Sequence, residues 1–389
     1  MATPPTKALV VLAAALALRL AAAARYYAVP LSAGGDDRQY AEIAGNLAEG
    51  RGYARQGAPT AYRAPLYPIF LAGLREIGIS STGGARVAQA FVGAGAVWLA
   101  FLLGGLPAMA LTAFDPAQIL LPTSLYCEAF YSALVLLVAW ALCAFKKRGD
   151  DASALAFGAA VGLSALCRST LALLPLAALP FFKRKPRQLA LALGAAAVVV
   201  SPWLFRNAVV FRRLIPFESG VAGPIVYYAS EGRVVAPERE DATEPMKSMY
   251  ATMPRLEWDR YALSLALTKV EADPLRYVRT TLVRAWRFWT DSYLCYLVVY
   301  HPAYEKAGLA HWDALALACR VAFFAACGLA AFGAARAGAP PAVWAALLIL
   351  AYVNLHALGV VFARYHAPFM PLLYVAAGEG VKRLAKGAA

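Results

Sequence analysis

The chain has 389 residues, 61% of them hydrophobic and 15% charged, with a formal net charge of +14. An average soluble domain is roughly 45–50% apolar and about 25% charged. The composition therefore excludes an ordinary soluble domain and points to an all-α polytopic membrane protein in a lipid bilayer. Basic loops gathered on one side of a membrane account for the positive charge, so no nucleic-acid partner is expected.

In chain order, Lys7 and the apolar run behind it have the form of a signal peptide. The run reaches Val29, broken only by Arg19 and Arg25. Spanning takes about 20 residues, so the expectation is a retained first helix over roughly Ala8 to Val29. Arg19 falls near its middle. An ionisable group there marks a functional or a pairing site, with Asp115 the candidate partner.

The polar stretch from Gly34 to Pro68 follows, rich in turns and charges between two apolar segments. It must lie outside the lipid. Tyr40, Ile43, Ala44 and Leu47 recur at helical spacing, which predicts a short amphipathic helix on the membrane surface, stopped by Gly50 and Gly52. A second short helix is expected over about Leu66 to Ile77, after the rigid turn Tyr62-Arg63-Ala64-Pro65.

Apolar runs predict about ten spans in all. After the first they cover roughly 85–103, 106–121, 128–145, two short ones within 152–182, then 189–205, 314–334, 342–361 and 368–381. The pair within 152–182 is short enough to be re-entrant instead. With ten spans, the basic clusters at 146–148, 183–187 and 382–386 share one side, expected to be cytoplasmic. This gives three parts: an N-terminal membrane module, 1–205, with its outer loop at 31–83; an outer segment, 206–313; and C-terminal helices, 314–389. Within the outer segment, Asp273-Pro274 opens a run of Trp, Tyr and Leu interleaved with Arg, suited to a helix at the headgroup level.

The candidate chemistry sits on the outer side. Asp36 precedes the first loop helix. It is either an N-cap or a general base, with Asp37 its nearby competitor. Arg63 lies in the rigid turn, and a guanidinium matches phosphate in a bidentate way. Glu128 opens the fourth span, as a dipole-favoured acid or a second carboxylate facing the Asp36 cavity. Arg168, Arg206-Asn207 and Arg364-Tyr365-His366 also fall outside, where the basic-loop rule does not explain them. Together with Arg63 they suggest an anionic ligand, and a lipid phosphate fits. The six cysteines form no C-x-x-C pair and the four histidines show no close ligand spacing, so neither a metal site nor a disulfide framework is expected.

These motifs resemble the GT-C membrane glycosyltransferases, in the branch of the protein O-mannosyltransferases and the lipid A aminoarabinose transferase. The first outer loop does so through Asp36 and Tyr40 at D-x-x-x-Y spacing, Gly52-Tyr53 and Arg63-Ala64-Pro65-Leu66-Tyr67-Pro68. Pro202-Trp203 with Arg206-Asn207 resembles the P-W-x-x-R-N signature, and Arg364-Tyr365 with Pro368 the late R-Y-x-x-P motif. Glu128 matches an acid opening the fourth helix, and Arg168 an Arg after a Gly-Leu-rich helix. The resemblance implies a GT-C fold in a bacterial inner membrane with a periplasmic site. It implies inverting, metal-independent transfer of a sugar from a polyprenyl-phosphate donor to a hydroxyl of a glycolipid, glycan or protein acceptor. Asp36 would be the base, assisted by Glu128. Arg63, Tyr40, Tyr62, Arg168, Arg206, Asn207, Arg364 and His366 would bind the donor. Two departures are expected: no counterpart of the separate C-terminal soluble or extra membrane domain of larger members, and Asp115 before Pro116 where relatives usually have an aromatic. A transporter or flippase of a lipid-linked anion is the rival reading, although no internal repeat supports it.

Overall fold

The computed structural model describes residues 5–32, 35–237, 241–300, 303–304, 312–335 and 338–387. His301 and His311 lie outside the described residues, as do Gly34 and part of the expected outer segment. The first half of the chain forms α1 (Thr6–Arg25), α2 (Asp36–Ala48), α3 (Leu66–Glu76), α4 (Thr82–Phe114), α5 (Pro116–Leu120), α6 (Glu128–Arg148), α7 (Asp151–Cys167), α8 (Leu174–Ala177) and α9 (Pro186–Phe211). The second half forms α10 (Ala222–Ser230), α11 (Met246–Thr252), α12 (Arg255–Ala272), α13 (Pro274–Thr290), α14 (Tyr293–Tyr300), α15 (Trp312–Ala335), α16 (Pro341–Val353) and α17 (Met370–Gly387). Among the described residues the one sheet is a two-stranded hairpin, Ala54–Arg55 against Ala58–Pro59.

Six described helices are long and apolar enough to cross a bilayer: Thr6–Arg25, Thr82–Phe114, Glu128–Arg148, Pro186–Phe211, Asp313–Ala335 and Pro341–Leu358. They fall on the first, second, fourth, seventh, eighth and ninth of the expected spans. α6 is the central one. It packs on α4, α7 and α16 and buries Leu136, Val138, Ala139 and Leu142. Leu9 and Val10 of α1, Val198 and Phe205 of α9, and Leu317 and Val321 of α15 stay exposed, as expected for side chains that meet acyl tails rather than protein.

Of the other spans, the fifth is the continuous helix α7 and the third and sixth are interrupted. α4 breaks at Gly105, whose φ of 73° is left-handed, at the expected boundary between the second and third spans, and Pro107 follows inside the helix. The third span is the end of α4 plus α5, interrupted at Asp115, which caps α5 by accepting from the Ala117 amide at 2.8 Å. The sixth runs as three short pieces, Ser169–Leu171, α8 and Leu179–Phe182, with prolines 175 and 180 each opening one. The tenth is α17, 18 residues long.

The Arg19 alternatives resolve through backbone contacts. Its guanidinium donates to the carbonyls of Ala15, Thr112 and Ala113 at 3.1–3.2 Å. Asp115 instead takes the Tyr374 hydroxyl at 2.8 Å. The C-terminus of α4 exposes carbonyls with no intrahelical donor, and Arg19 supplies it.

Two ends of the bundle follow from helix direction. α6 starts at Glu128 and rises about 31 Å over its 21 residues to Lys146, Lys147 and Arg148. At that far end Lys146 lies 4.8 Å from the Phe181 ring, and Arg187 pairs with Asp151 at 2.6 Å. The basic clusters 146–148 and 183–187 thus share one end, and Glu128 lies at the other.

Candidate functional site

At the Glu128 end, backbone carbonyls tie the first loop to the rest of the chain. Tyr53 donates its hydroxyl to the carbonyls of Arg63 and Ala64 at 2.9 and 3.2 Å. Arg206 donates to the carbonyls of Tyr53 and Thr60, both at 2.8 Å. The Ser219 amide donates to the Ala61 carbonyl at 2.9 Å. Buried Arg86 joins the exit of α1 to the turn before α6, donating to the carbonyls of Tyr27, Val29 and Thr123 at 2.6–2.7 Å. The helix Tyr40, Ile43 and Ala44 stand on does not lay them on the membrane. They are buried, Tyr40 and Ala44 in one apolar cluster with Tyr67 and Leu71 of α3, and Ile43 against Tyr53 and Trp203. The expected surface face of α2 is therefore a protein-packing face.

Asp36 is the first residue of α2, and Gly35 rather than Asp36 is the capping residue. The Asp36 carboxylate accepts from Arg63 on one oxygen and from Arg364 on the other. Arg63 also donates to Gln39 Oε1 at 2.9–3.0 Å and lies over the rings of Tyr62 and Tyr40 at 4.7 and 5.5 Å. Arg364 lies over Tyr126 at 4.4 Å and Tyr296 at 5.2 Å. Burial alone pushes the Asp36 carboxyl up. The Arg364 and Arg63 guanidiniums outweigh it and hold the carboxyl well below the usual carboxylate range. Asp37 differs. Its oxygens accept from the Ser32 amide and hydroxyl and from the Arg38 amide, which close the turn before α2.

Glu128, 1% exposed, stands behind the arginines. Its Oε1 pairs with Arg168 at 2.9 Å and lies 3.6 Å from Arg364 Nε. Arg168 in turn lies 4.2 Å from the Tyr365 ring. Three guanidiniums thus meet the two carboxylates of Asp36 and Glu128. The loop carrying Arg364 is fixed from outside the cluster. Val360 and Val361 donate backbone amides to Ile225 and Val234, and Arg284 donates to the Ala357 carbonyl at 2.8 Å.

Asp36, Tyr40, Tyr62, Arg63, Arg168 and Arg364 line one cavity of about 260 Å³. Val221, Ile225, Leu355 and Val360 give it an apolar wall. Of the other residues singled out in the sequence, Glu128 does not line this cavity. Nor do Arg206 and Asn207, which brace the loops; Asn207 donates to the Ile215 carbonyl at 2.8 Å. His366 lines a second cavity instead, of about 450 Å³, between the end of α4, α15 and α17, with Phe114, Trp289, Phe323 and Met370. Burial lowers the His366 imidazole to about 4 against a backbone hydrogen bond at Phe288 that favours its charged form. Among the described residues no group of three or more His, Cys, Asp or Glu side chains is placed to hold a metal ion.

Sequence reasoning missed Glu218, which lines the Asp36 cavity. It accepts from the Ser169 hydroxyl at 2.5 Å, and its other oxygen is buried with no partner among the described residues. Burial pushes its carboxyl above the usual range, although the Ser169 bond, Arg168 and Arg63 pull the other way. A signal was present: Glu218 is the single acidic residue between Asp151 and Glu231.

No protein-family model matches the chain, and no curated protein matches it. Solved structures do. The archaeal oligosaccharyltransferase AglB from Archaeoglobus fulgidus, in complex with an inhibitory peptide and a dolichol-phosphate, superposes with a TM-score of 0.53 at 13% identity. That match covers 98% of this chain, which spans about half, 52%, of AglB. ArnT from Cupriavidus metallidurans bound to undecaprenyl phosphate matches over 98% of this chain and 78% of its own, at 16% identity and a TM-score of 0.46. The likeness to AglB establishes the fold: a GT-C arrangement of membrane helices, as the motifs implied.

Proposed function

We propose that the protein is a glycosyltransferase that moves a sugar from a polyprenyl-phosphate donor to an acceptor hydroxyl at the periplasmic face of a bacterial inner membrane. The observation that carries this reading is the Asp36 carboxylate held between Arg63 and Arg364 in a cavity shared with Arg168. Three guanidiniums gathered at one cavity suit a phosphodiester, because they bind its oxygens in a bidentate way.

The prenyl tail would lie in the apolar cavity along α15 and α17, and the phosphate would meet Arg63, Arg168 and Arg364. Asp36 would take the acceptor proton as the oxygen attacks the anomeric carbon. The bond from that carbon to the phosphate oxygen breaks as the new one forms, and its electron pair stays on the phosphate. The arginines stabilise that added charge, and attack from the face opposite the leaving group inverts the carbon. A carboxylate paired with two arginines is a weak base. A phosphate that draws those guanidiniums toward itself makes Asp36 a better one. Glu128 acts through Arg168 and Arg364 as a positioning group in this scheme, and Arg206 and Asn207 hold the loop.

The test is the full chain in lipid nanodiscs with a labelled undecaprenyl-phosphate sugar and membrane glycolipid as acceptor. Label appearing on the acceptor, with release of undecaprenyl phosphate, is the expected result. Movement of the labelled lipid between leaflets of a vesicle without transfer would replace this reading with a flippase.

A further inference from the structure

The cavity contains one acid that the scheme above leaves unused. Glu218 presents a carboxyl whose Oε1 is bound by Ser169 and whose Oε2 is buried with no partner among the described residues. Buried polar atoms are rarely left so, and the cavity is the side from which a partner can come. The backbone around it is held on both sides. Trp203 Nε1 donates to the Phe217 carbonyl at 2.7 Å, and the Ser219 amide donates to Ala61 at 2.9 Å. The Asp259 carboxylate accepts from the amides of Gly220 and Gly223 at 2.5 and 2.9 Å. Gly220 has φ +76°, and a Cβ there would sit 2.9 Å from the Arg255 carbonyl oxygen. Glu218 therefore leaves a rigid turn and is aimed before any ligand arrives.

The ligand class follows from the neighbours. A carboxyl repels a phosphate, which the guanidiniums take. The ring bonded to that phosphate must enter the same cavity, because its anomeric carbon is one bond from the phosphate oxygen. A volume of about 260 Å³ is below the roughly 300 Å³ where pockets for larger ligands begin, so it suits a single ring. Arg63, Arg168 and Arg364 in the same walls disfavour a cationic sugar. Resting on the transferase reading, we propose that Glu218 holds a ring hydroxyl of a neutral donor sugar and so selects which sugar is transferred.

The experiment measures binding to the full chain in nanodiscs. The probes are bare undecaprenyl phosphate and the same lipid carrying glucose, mannose, galactose, arabinose or, as the cationic arm, glucosamine. Wild type is expected to bind at least one neutral sugar-lipid tenfold or more tighter than the bare lipid, and the glucosamine lipid no tighter than the best neutral one. Glu218→Ala should lose that increment while binding the bare lipid no more weakly than wild type, because the carboxyl that repels phosphate is gone. Glu218→Gln, whose amide still donates and accepts, should keep part of it. An unchanged increment in Glu218→Ala overturns the proposal. So does an equal loss on the bare lipid, which marks a structural role, or tightest binding of the glucosamine lipid. Wild type that ignores bare undecaprenyl phosphate would overturn the lipid-phosphate reading itself, and this proposal with it.

Discussion

Asp36→Asn separates binding from chemistry. In the wild type each carboxylate oxygen accepts from a different guanidinium. Asparagine keeps one neutral acceptor oxygen and turns an NH2 toward the other arginine, so both guanidiniums lose the carboxylate charge, while Arg364 keeps Glu128 at 3.6 Å. Breaking one partner of a buried pair costs about 3–5 kcal/mol. The Asp36 and Arg364 side chains are 19% and 9% exposed, so the low end applies, about 3 kcal/mol. The released arginine is then free for phosphate. A hydrogen bond to a charged group contributes about 1.5–3 kcal/mol, which corresponds to roughly ten- to hundredfold tighter binding of bare undecaprenyl phosphate. Under the transferase reading, loss of the base should lower turnover by about 100- to 10,000-fold. Thermal unfolding with and without lipid phosphate, alongside label transfer, reads all three effects. Asp36→Asn should be less stable alone, gain more from the ligand, and turn over far more slowly. A variant that binds no tighter and transfers within tenfold of wild type would refute the reasoning. Asp37→Asn is the control, because Asp37 only closes the turn before α2.

Other outcomes can be checked separately. The lowered Asp36 value means its ion pairs are complete above the ordinary carboxylate value of about 3.9 and are lost only as pH falls through the lower folded one. In wild type kcat/KM should therefore show no Asp36 break between about pH 5 and 8; in Arg364→Gln, which removes the larger favourable charge, the acid limb should move upward. Glu128→Gln leaves Arg168 without its counter-ion, and a stability loss of about 3–5 kcal/mol should appear as a lowered Tm. Gly220→Ala forces a side chain into a left-handed turn against Arg255; about 1–3 kcal/mol of strain should lower Tm and weaken sugar-lipid binding more than bare-lipid binding. Arg19→Leu removes the donor to three backbone carbonyls. In a bilayer each unsatisfied group costs several kcal/mol, so the yield of folded protein from membranes should collapse.

The sequence made the long helices legible, because an apolar run of spanning length has few other fates in a chain this hydrophobic. It also made Asp36 and Arg63 legible as neighbours in one polar loop, and Arg168 and Arg364 as cations set apart from the basic clusters. It did not distinguish Arg364 from Arg206. Both follow apolar segments beside aromatic residues, yet Arg364 reaches Asp36 while Arg206 gives its donors to Tyr53 and Thr60. That difference depends on how the 53–64 turn packs on the end of α9, a contact between segments some 150 positions apart. Periodicity gave α2 its apolar face but not what covers it, because the covering surface belongs to α3 and to Trp203. The break of α4 at Gly105 was legible, because the glycines at 104 and 105 and Pro107 divide the apolar run where the second expected span ends and the third begins.

The two-arginine grip on Asp36 has a kinetic consequence under the transferase reading. Before a donor arrives, the paired carboxylate is a poor proton acceptor, so an alcohol or water entering first meets an unarmed base. Lipid phosphate arms it by competing for the guanidiniums, at the moment an electrophilic carbon is also present. After transfer the sequence reverses. Asp36 sheds its proton to solvent, recovers both arginines and loosens the spent lipid phosphate. The same two ion pairs act as an interlock at the start of the cycle and as an ejector at its close. The kinetic signature is obligatory donor-first addition, with bare undecaprenyl phosphate inhibiting in competition with the donor.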